Sequence, residues 1–568
     1  MGSWKLIQKA NAILERERGT VLKPWGGRIS ICLIYPNSYH VGMSNLGFQT
    51  LYSLFNTEED VVCERAFLPE KEEFEEHQRS ETPLFSLESQ KPISEFDLLA
   101  FSISFENDYL NILSIFELGR IPLLSQNRGE RDPLVIGGGV SVFLNPEPIS
   151  PFFDLFILGE AEEVIKEFLE VFRKWRDRRG GGKEDLLRDV SKVEGVYIPK
   201  LYQVIYKEDG RIEAMIPGTG IPRKVKRRWI KEINQFPTHS VLFTPDTEFK
   251  EIVLVEMNRG CPRGCRFCAA YSAYYPFRNR SLSVLDSLIQ EALLKGNRIG
   301  LTGTAVSDHP QLVSLCQSIL SKQGKISTSS LRVDAIHPSL IQCLKEAQER
   351  TLSIAPEAGS ERLRKILGKD YTEEEILKAI EILVENGIFQ IKNYFLIGIP
   401  SETDEDVKGI LILAKKIRHR ILSKRKGQEG RWRLVLSLNP FVPKPATPFQ
   451  WAPMERVGEL KRRLKIVQQG IERERGMKLI HDLPKWAFIQ ALLSRGDRRV
   501  SGILMNVHRY QGDWSRALRE TNLNPDFYVY RPRDLDEIFP WDFIDHGIPK
   551  EKLKEEYLKA MREAGVKI

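Results

Sequence analysis

The chain has 568 residues, of which 42% are hydrophobic and 28% are charged, with 84 Lys and Arg against 77 Asp and Glu. This composition is typical of soluble globular protein and excludes wholesale disorder, and the length predicts several domains. The net charge of +7 permits an acidic or nucleic-acid partner without indicating one. No segment approaches the roughly 20 apolar residues of a membrane helix, and the first residues lack the apolar core of a secretory signal. The sequence therefore predicts a cytoplasmic protein with no membrane partner.

The first 200 residues alternate between strand-like and helical patterns. Buried strand runs occur at 28–35, 97–104, 133–136 and 153–158, and helical patterns occur at 46–54, 109–118 and 161–175. This alternation predicts an open, doubly wound Rossmann-like α/β domain over residues 1–200, followed by a linker over 201–245. Ligands of such sheets bind outside the carboxyl ends of the strands.

Three of the seven cysteines lie together, which is not the pattern of a disulfide framework. Cys261, Cys265 and Cys268 have the spacing C-x-x-x-C-x-x-C, and the glycines and proline between them indicate a loop. Thiolates that converge in a reducing compartment indicate a soft metal or an iron–sulfur cluster. Zinc would need a fourth Cys or His nearby, and none follows. Three ligands on a four-iron cluster leave one iron open to a substrate or cofactor.

This segment, including Phe267 just before the third cysteine, resembles the signature of the radical S-adenosylmethionine (SAM) superfamily. The resemblance implies that Cys261, Cys265 and Cys268 hold a [4Fe-4S] cluster whose fourth iron is chelated by SAM. One electron from the cluster then splits the sulfonium of SAM, usually giving a 5′-deoxyadenosyl radical. It also implies an electron donor of the flavodoxin or ferredoxin type.

The region after the cysteines has the pattern of a parallel barrel. Strand-like runs at 252–257, 298–302, 327–333, 351–355, 390–397 and 433–438 alternate with amphipathic helical patterns at 284–294, 310–320, 338–347, 372–385, 404–421 and 454–471. Such βα units predict a (βα)6 partial TIM barrel over residues 246–475, which is also the fold that the resemblance implies. Residues 476–568 are rich in aromatic and charged residues and predict a small, mostly helical cap that closes the barrel and shapes a substrate pocket.

Candidate SAM-binding residues follow from the rule that barrel active sites lie at the carboxyl ends of the strands. Gly303 and Thr304 stand where the family has a Gly-Gly-Glu motif, but the Glu is missing here. Arg332 suits a bidentate contact to the SAM carboxylate, with an ordinary surface ion pair as the alternative. Glu357 suits the ribose hydroxyls or the SAM amine, with helix capping as the alternative. The segment around Gly398 resembles the family's turn near adenine, where glycine lets the backbone approach the base, with an ordinary turn as the alternative.

An α/β domain ahead of such a barrel resembles the cobalamin-binding radical SAM enzymes, and in particular a bacterial family of uncharacterised proteins of that type. The matching motifs are at 35–37, 42–47, 145–148, 355–359, 441–451 and 540–542. The resemblance implies that cobalamin lies at the carboxyl edge of the N-terminal sheet, where the candidate residues are Asn37, Glu106, Gly137, Gly138, Gly139 and Gly159. No His stands in the corrinoid motif D-x-H-x-x-G, so an α/β domain that only packs on the barrel is the alternative.

Basic stretches at 173–183, 223–231 and 418–433 are interpreted as solvated loops. The alternative is a phosphate-binding patch on which Trp229 or Trp432 stacks nucleic-acid bases.

The leading functional hypothesis is a radical SAM enzyme that transfers a methyl group from cobalamin to an unactivated carbon. Radical rearrangement, oxidation or RNA modification without cobalamin is the second hypothesis. An iron–sulfur protein that binds RNA or acts as a sensor is the third. A methylthiotransferase is disfavoured, because it needs three N-terminal cysteines for a second cluster and only Cys32 and Cys63 precede the motif.

Overall fold

The computed structural model describes residues 3–178, 181–250, 252–424 and 432–566. The N-terminal part of the chain forms a six-stranded sheet with the strand order β2-β1-β3-β4-β5-β6. Only β6 of this sheet is antiparallel to its neighbour. Its strands are β1 (Ile29–Tyr35), β2 (Val61–Phe67), β3 (Leu98–Ser102), β4 (Leu134–Gly138), β5 (Leu155–Ile157) and β6 (Val196–Tyr197). The predicted doubly wound domain is thereby confirmed, with its switch point between β1 and β3.

Helices cover both faces of this sheet. Every residue of β1 is buried, because helices cover the parallel sheet on both sides, and all of them except Ser30 are hydrophobic. The helix α3 begins where the side chain of Asn45 accepts a hydrogen bond from the amide of Phe48. The helices of this part are α1 (Trp4–Arg16), α2 (Tyr39–Met43), α3 (Leu46–Thr57), α4 (Lys71–Arg79), α5 (Tyr109–Gly119), α6 (Val140–Leu144), α7 (Val164–Asp177) and α8 (Lys183–Val190).

The predicted linker has structure of its own. It contains an antiparallel hairpin of β7 (Tyr202–Tyr206) and β8 (Ile212–Pro217), and then β9 (Val225–Lys226). The half-buried ring of Trp229 lies 5.4 Å from the guanidinium of Arg278. Trp432 packs on Gly476, where an added Cβ would lie 2.3 Å from the indole. Neither indole therefore stands free as a stacking platform. Arg179, Gly180 and residues 425–431 of the basic stretches lie outside the described residues.

The second half of the chain forms a partial barrel from two four-stranded sheets, β11-β10-β12-β13 and β14-β15-β16-β17. A parallel bridge between Leu331 and Ile354 joins the sheet that contains β13 to the sheet that contains β14. The strands are β10 (Val253–Arg259), β11 (Arg278–Asn279), β12 (Arg298–Gly303), β13 (Lys325–Thr328), β14 (Thr351–Glu357), β15 (Gln390–Ile397), β16 (Arg433–Pro440) and β17 (Met477–His481). All are parallel except β11, so the predicted partial barrel is confirmed, and β17 extends it by one strand at the edge of β16.

The outer layer of the barrel follows from amphipathic sequences with clear start signals. Thr372 and Glu375 form a capping box at α14, and Pro338 begins α12. The helices are α9 (Ala269–Ala273), α10 (Leu282–Lys295), α11 (Leu312–Ser321), α12 (Pro338–Glu346), α13 (Glu361–Ile366), α14 (Glu373–Glu385), α15 (Asp404–Lys424) and α16 (Val457–Ile471).

The C-terminal region is mostly helical, as expected. It contains α17 (Pro484–Arg495), α18 (Val500–Arg509), α19 (Trp514–Glu520), α20 (Asp526–Val529), the short strand β18 (Ile544–Asp545) and α21 (Lys550–Glu563). It also ties the domains together: β18 pairs with β9, and the guanidinium of Arg498 lies 2.9 Å from the carboxylate of Glu147 in the N-terminal domain. Across the described ranges, no helix has the length and apolar character needed to cross a bilayer.

Candidate active site

The cysteine loop leaves the carboxyl end of β10, and glycine makes its path possible. Gly260 and Gly264 have φ angles of +76° and +66°. A Cβ on Gly260 would lie 2.6 Å from the carbonyl oxygen of Tyr274, so no other residue fits that position. The amide of Cys268 donates a 3.0 Å hydrogen bond to the carbonyl of Cys265. The loop is thus a tight turn that brings the second and third cysteines back toward each other.

The three thiols share a partly desolvated environment. Cys265 is buried, and Cys261 and Cys268 are half-buried. Burial is the main cause that raises the pKa of the Cys265 thiol, and it raises that of Cys268 to about 11. In both cases the neighbouring cysteines add to the increase, so the sulfur atoms lie within electrostatic range of one another.

These thiols are donors of the kind that an iron–sulfur cluster needs. Soft sulfur ligands, three in number on one loop, suit a cluster with one open iron. Among the described residues, no group of three or more His, Cys, Asp or Glu side chains is placed so as to hold a metal ion together. Cluster ligation would require these thiols to lose their protons.

Two cations border the cysteine loop. Lys369 and Arg332 both act to lower the pKa of Cys265, against the larger effect of burial. The ammonium of Lys369 lies 5.9 Å from the centroid of Phe267 and 2.8 Å from the carboxylate of Glu357. Positive charge beside three thiolates offsets their mutual repulsion. No sequence motif pointed to Lys369, which lies in the loop between α13 and α14.

Arg332 lies next to this loop but not on a strand. The strand predicted at 327–333 ends at Thr328, and Arg332 precedes a short turn. Its guanidinium donates two hydrogen bonds to Asp334, at 3.0 and 3.1 Å, and lies over the ring of Tyr371. Arg263 of the cysteine loop also contacts Asp334, at 3.5 Å. The carboxylate of Asp334 thus already accepts the paired hydrogen bonds of the Arg332 guanidinium, which was predicted to bind the SAM carboxylate.

The end of β12 is fastened to the start of the cysteine loop. The hydroxyl of Thr304 donates to the carbonyl of Gly260. Gly303 has a φ of +154°, and a Cβ there would lie 2.5 Å from the side-chain oxygen of Asn258. Glycine at this position therefore lets β12 approach the last residues of β10.

Glu357 and Gly398 mark the ends of β14 and β15. Glu357 has a φ of +67° at an irregularity of the ladder, and burial raises the pKa of its carboxyl group despite Lys369. Gly398 has a φ of +83°, and its amide donates a 2.7 Å hydrogen bond to Glu402. That carboxylate in turn accepts a hydrogen bond from Arg463, so the turn after β15 is rigidly held.

A cavity of about 400 Å³ lies between the N-terminal sheet and the barrel. One part is an apolar slot between one face of the sheet and the helices α3 and α7. Residues lining the slot are Ile31, Leu33, Leu51, Leu54, Phe55, Leu98, Ala100, Ile136, Ile157, Ile165 and Phe168. The other part is a polar mouth at the barrel, lined by Thr238, Glu256, Asn258, Arg259, Tyr274, Thr302, Gly303 and Thr304. The mouth thus reaches the residues that fasten the cysteine loop.

The predicted glycines line this cavity, but most are required by chain packing. A Cβ on Gly139 would lie 2.4 Å from the carbonyl of Ile103, and one on Gly159 would lie 2.1 Å from the backbone of Arg228. One on Gly137 would collide with the ring of Phe156 at 2.6 Å. At Gly138 the nearest atom would be 3.7 Å away, so this position alone of the four leaves room for a ligand.

Asn37 and Glu106 lie at the same sheet edge but not among the described residues that line the cavity. Asn37 donates a 2.8 Å hydrogen bond to Asp108. Glu106 is buried and accepts hydrogen bonds from Lys444 of the loop after β16, at 2.6 Å, and from Gln490 of α17, at 3.1 Å. Glu106 therefore joins the N-terminal domain to the barrel and the C-terminal helices.

Sequence reasoning missed how the cysteine loop is supported. Arg266, between two of the cysteines, is buried and donates to Glu556 at 3.0 Å and to Glu563 at 2.6 Å, both on α21. Glu160, just after Gly159 in the N-terminal domain, accepts a 2.7 Å hydrogen bond from Arg278 after the loop. Both contacts join segments far apart in the chain, which no local pattern reports.

Comparison with known proteins assigns these domains. Residues 47–199 match the family model for radical SAM proteins, N-terminal, and residues 255–414 match the model for the radical SAM superfamily. The chain carries a radical SAM domain. The resemblance to the radical SAM superfamily that the cysteine motif indicated is confirmed, and so are the [4Fe-4S] cluster and SAM as cofactors that the family implies. Radical SAM enzymes also need an electron donor and a substrate.

The chain is similar in sequence to two uncharacterized proteins and similar in structure to two solved enzymes. The chain is 29% identical over 483 residues to an uncharacterized protein of Methanocaldococcus jannaschii, covering 84% of this chain and 90% of that one. It is 24% identical over 339 residues to an uncharacterized methyltransferase of Pyrococcus horikoshii, covering 56% and 67%. The radical SAM methyltransferase TsrM of Kitasatospora setae, with cobalamin and a [4Fe-4S] cluster bound, is 13% identical with a TM-score of 0.47, covering 72% and 75%. The cobalamin-dependent radical SAM enzyme OxsB is 13% identical with a TM-score of 0.48, covering 95% and 79%.

Proposed function

We propose that this radical SAM enzyme holds its cluster with Cys261, Cys265 and Cys268, binds cobalamin in the interdomain cavity, and transfers a methyl group to an unactivated carbon. The observation that carries the proposal is the cavity itself. It extends from the carboxyl edge of the N-terminal sheet to Thr304, whose hydroxyl is bonded to the residue before Cys261. A cofactor bound there would face the cluster across the mouth.

When bound, the cluster supplies one electron to the sulfonium of SAM. The chain's own residues hold the reactants in place. Arg332 is proposed to bind the SAM carboxylate by sharing its fork with Asp334, since a guanidinium has donors left over after one bidentate contact. Glu357, kept in place by Lys369, is proposed to accept a hydrogen bond from the ribose or the amine of SAM.

The other candidate residues position the backbone rather than supply charge. Gly303 and Thr304 fix the end of β12 against the cysteine loop. The backbone of the turn at Gly398 is proposed to face the adenine, and glycine is needed there because a Cβ would lie 2.6 Å from the side chain of Leu460 on α16. Phe267 packs between the apolar cluster of α13 and α21 and the ammonium of Lys369, and it shields one side of the loop from water.

The apolar slot supports cobalamin as the second cofactor. Its walls of Leu, Ile and Phe suit the planar base of a corrinoid's nucleotide tail, and Gly138 leaves space at its edge. The slot takes only part of such a ligand, so the corrin ring would lie at the mouth. With no D-x-H-x-x-G motif, no histidine ligand from this chain is proposed for the cobalt. The P. horikoshii methyltransferase supports methyl transfer as the outcome.

Anaerobic reconstitution tests the proposal in two steps. With dithionite or a reduced flavodoxin- or ferredoxin-type donor, and with SAM, the protein is expected to form 5′-deoxyadenosine. Protein produced with cobalamin in the medium is expected to carry the corrinoid absorbance through purification. An active enzyme that is free of corrinoid would replace methyl transfer by rearrangement, oxidation or RNA modification. An intact cluster with no SAM cleavage, together with salt-dependent RNA retention, would favour the RNA-binding hypothesis.

A further inference from the structure

One wall of the barrel interior is accessible and carries cations. Along β15 the residues alternate: Ile391, Asn393, Phe395 and Ile397 are buried, while the residues between them are half-buried. The buried set packs toward the outer helices, with Ile391, Phe395 and Ile397 in the main apolar core. Because side chains alternate across a strand, Lys392, Tyr394 and Leu396 face the barrel interior.

Strand register extends this wall to the open edge of the barrel. Lys392 pairs with Val435 of β16, which pairs with Lys478 of β17. Tyr394 lies in the next row, which ends at Ile480. Lys478 and Ile480 are exposed, and Ile480 keeps 44% of its surface accessible. The wall is thus continuous with solvent at β17, where a substrate can enter.

The charges on this interior surface are unbalanced. The interior carboxylates have cationic partners: Glu256 pairs with Arg259 and Arg280, and Glu357 pairs with Lys369. Within the described residues, Lys392 and Lys478 have no carboxylate partner, and the contact of Lys392 is the ring of Tyr394, 4.6 Å from its ammonium. A half-buried ammonium without a counter-charge favours an anion that shares its partly desolvated site.

The interior side chains of β15 lead toward the cysteine loop. Leu396 lies four residues above Lys392 on the same face, about 13 Å at the rise of a strand. Leu396 and Phe267 of the cysteine loop pack against the same apolar cluster. A molecule whose anionic end meets Lys392 would therefore extend past Tyr394 and Leu396 to the reaction centre.

From this geometry we infer that the substrate is an amphipathic organic anion, with a carboxylate or phosphate held at Lys392 and an apolar body against Tyr394 and Leu396. The inference rests on the proposed function for the position of the reaction centre. Lys478, two strands away and about 10 Å along the row, attracts the anion at the entrance.

Binding of matched probes to the reconstituted holoenzyme with SAM tests this inference. The probes are decanoate, decyl phosphate and the neutral decanamide, measured by calorimetry. The wild type is expected to bind at least one anion about 10-fold more tightly than decanamide, and Lys392→Gln is expected to lose that preference. Lys392→Arg should retain it. Lys378→Gln removes the same charge from the exposed face of α14, the helix that precedes β15, and should leave the preference unchanged.

The anion that binds more tightly identifies the group as carboxylate or phosphate. Equal binding of decanamide and both anions to the wild type, or an undiminished preference in Lys392→Gln, would overturn the inference. Because the probes bind without turnover, these results are independent of SAM cleavage. Charge-selective binding in a protein that forms no 5′-deoxyadenosine would contradict the proposed function and leave the anion site standing.

Discussion

The cysteine loop and the interdomain cavity are adjacent, yet they are built in opposite ways. The loop concentrates its three proposed ligands in eight residues of one turn. The cavity is lined by residues from Ile31 to Thr304, contributed by two domains, and most of its lining is apolar. Substitution of one cysteine should therefore abolish the cluster and its activity, whereas single substitutions around the cavity should lower cobalamin affinity by degrees.

The cysteine loop offers the largest expected effect. Cys265→Ala removes one of three proposed cluster ligands, and we expect loss of the cluster and of all 5′-deoxyadenosine formation. The matched control is Cys316→Ala, which removes a buried thiol from α11 outside the loop and should leave both intact. Iron and sulfide content, measured with product formation, checks both variants. Full cluster content in Cys265→Ala would contradict the assignment.

The carboxyl edge of the N-terminal sheet, where Asn37 donates a hydrogen bond to Asp108, offers an effect that depends on pH. Burial raises the pKa of the Asp108 carboxyl group from 3.8 to about 7. Because the folded state holds this proton more tightly than the unfolded state, the stabilising contribution is complete below pH 3.8 and is lost as pH rises to about 7. The loss amounts to about 4 kcal/mol for three pKa units.

Asp108→Asn should abolish that decline, because the amide does not titrate. Chemical denaturation of the wild type and Asp108→Asn across pH 4 to 7 measures the difference between the two free energies of unfolding. Parallel profiles across this range would show that Asp108 is charged in the folded protein at neutral pH.

The support of the cysteine loop by α21 offers a smaller effect. Arg266→Met keeps the length of the side chain but leaves Glu556 and Glu563 without their cation, and both retain some exposure to water. We expect a loss of about 2 kcal/mol in unfolding free energy and a cluster that is lost faster in air. Arg473→Met, at an exposed position after α16, is the control. Wild-type cluster lifetime in Arg266→Met would show that α21 does not stabilise the loop.

The smallest expected effect is at the edge of the cavity. Gly138→Val adds a side chain where no atom lies within 3.7 Å of the new Cβ. It should lower cobalamin affinity about 10-fold, as overpacking of a binding site by 1–3 kcal/mol implies, with little change in stability. Gly458→Val places the same side chain at an open position of α16 and should leave corrinoid binding unchanged. Corrinoid titration by absorbance distinguishes them.

Local patterns predicted most of the fold, and the exceptions have physical causes. The strand β2 was missed because Glu64 and Arg65 interrupt its apolar run. In the structure Arg65 is fully buried between Glu17 and Glu88, each 2.6 Å away. The strand β13 was placed too late, because the apolar residues near Leu331 make a single bridge to β14 rather than a ladder.

The candidate site was predictable only where its residues are close in sequence. The cysteine spacing identified the loop directly, whereas Lys369 and the contact of Arg266 with α21 depend on tertiary folding. The glycines near 137–139 were predicted to make room for a cofactor. Chain packing accounts for Gly137 and Gly139, which shows that glycine in a sequence reports a close approach without saying what approaches.

The electron paramagnetic resonance spectrum of the reduced cluster, recorded with and without SAM, tests the central claim most directly. Three protein thiolates leave one iron open, so SAM is expected to bind that iron and change the spectrum. A spectrum that SAM leaves unchanged, or purified protein that carries zinc at the three cysteines, would contradict the account.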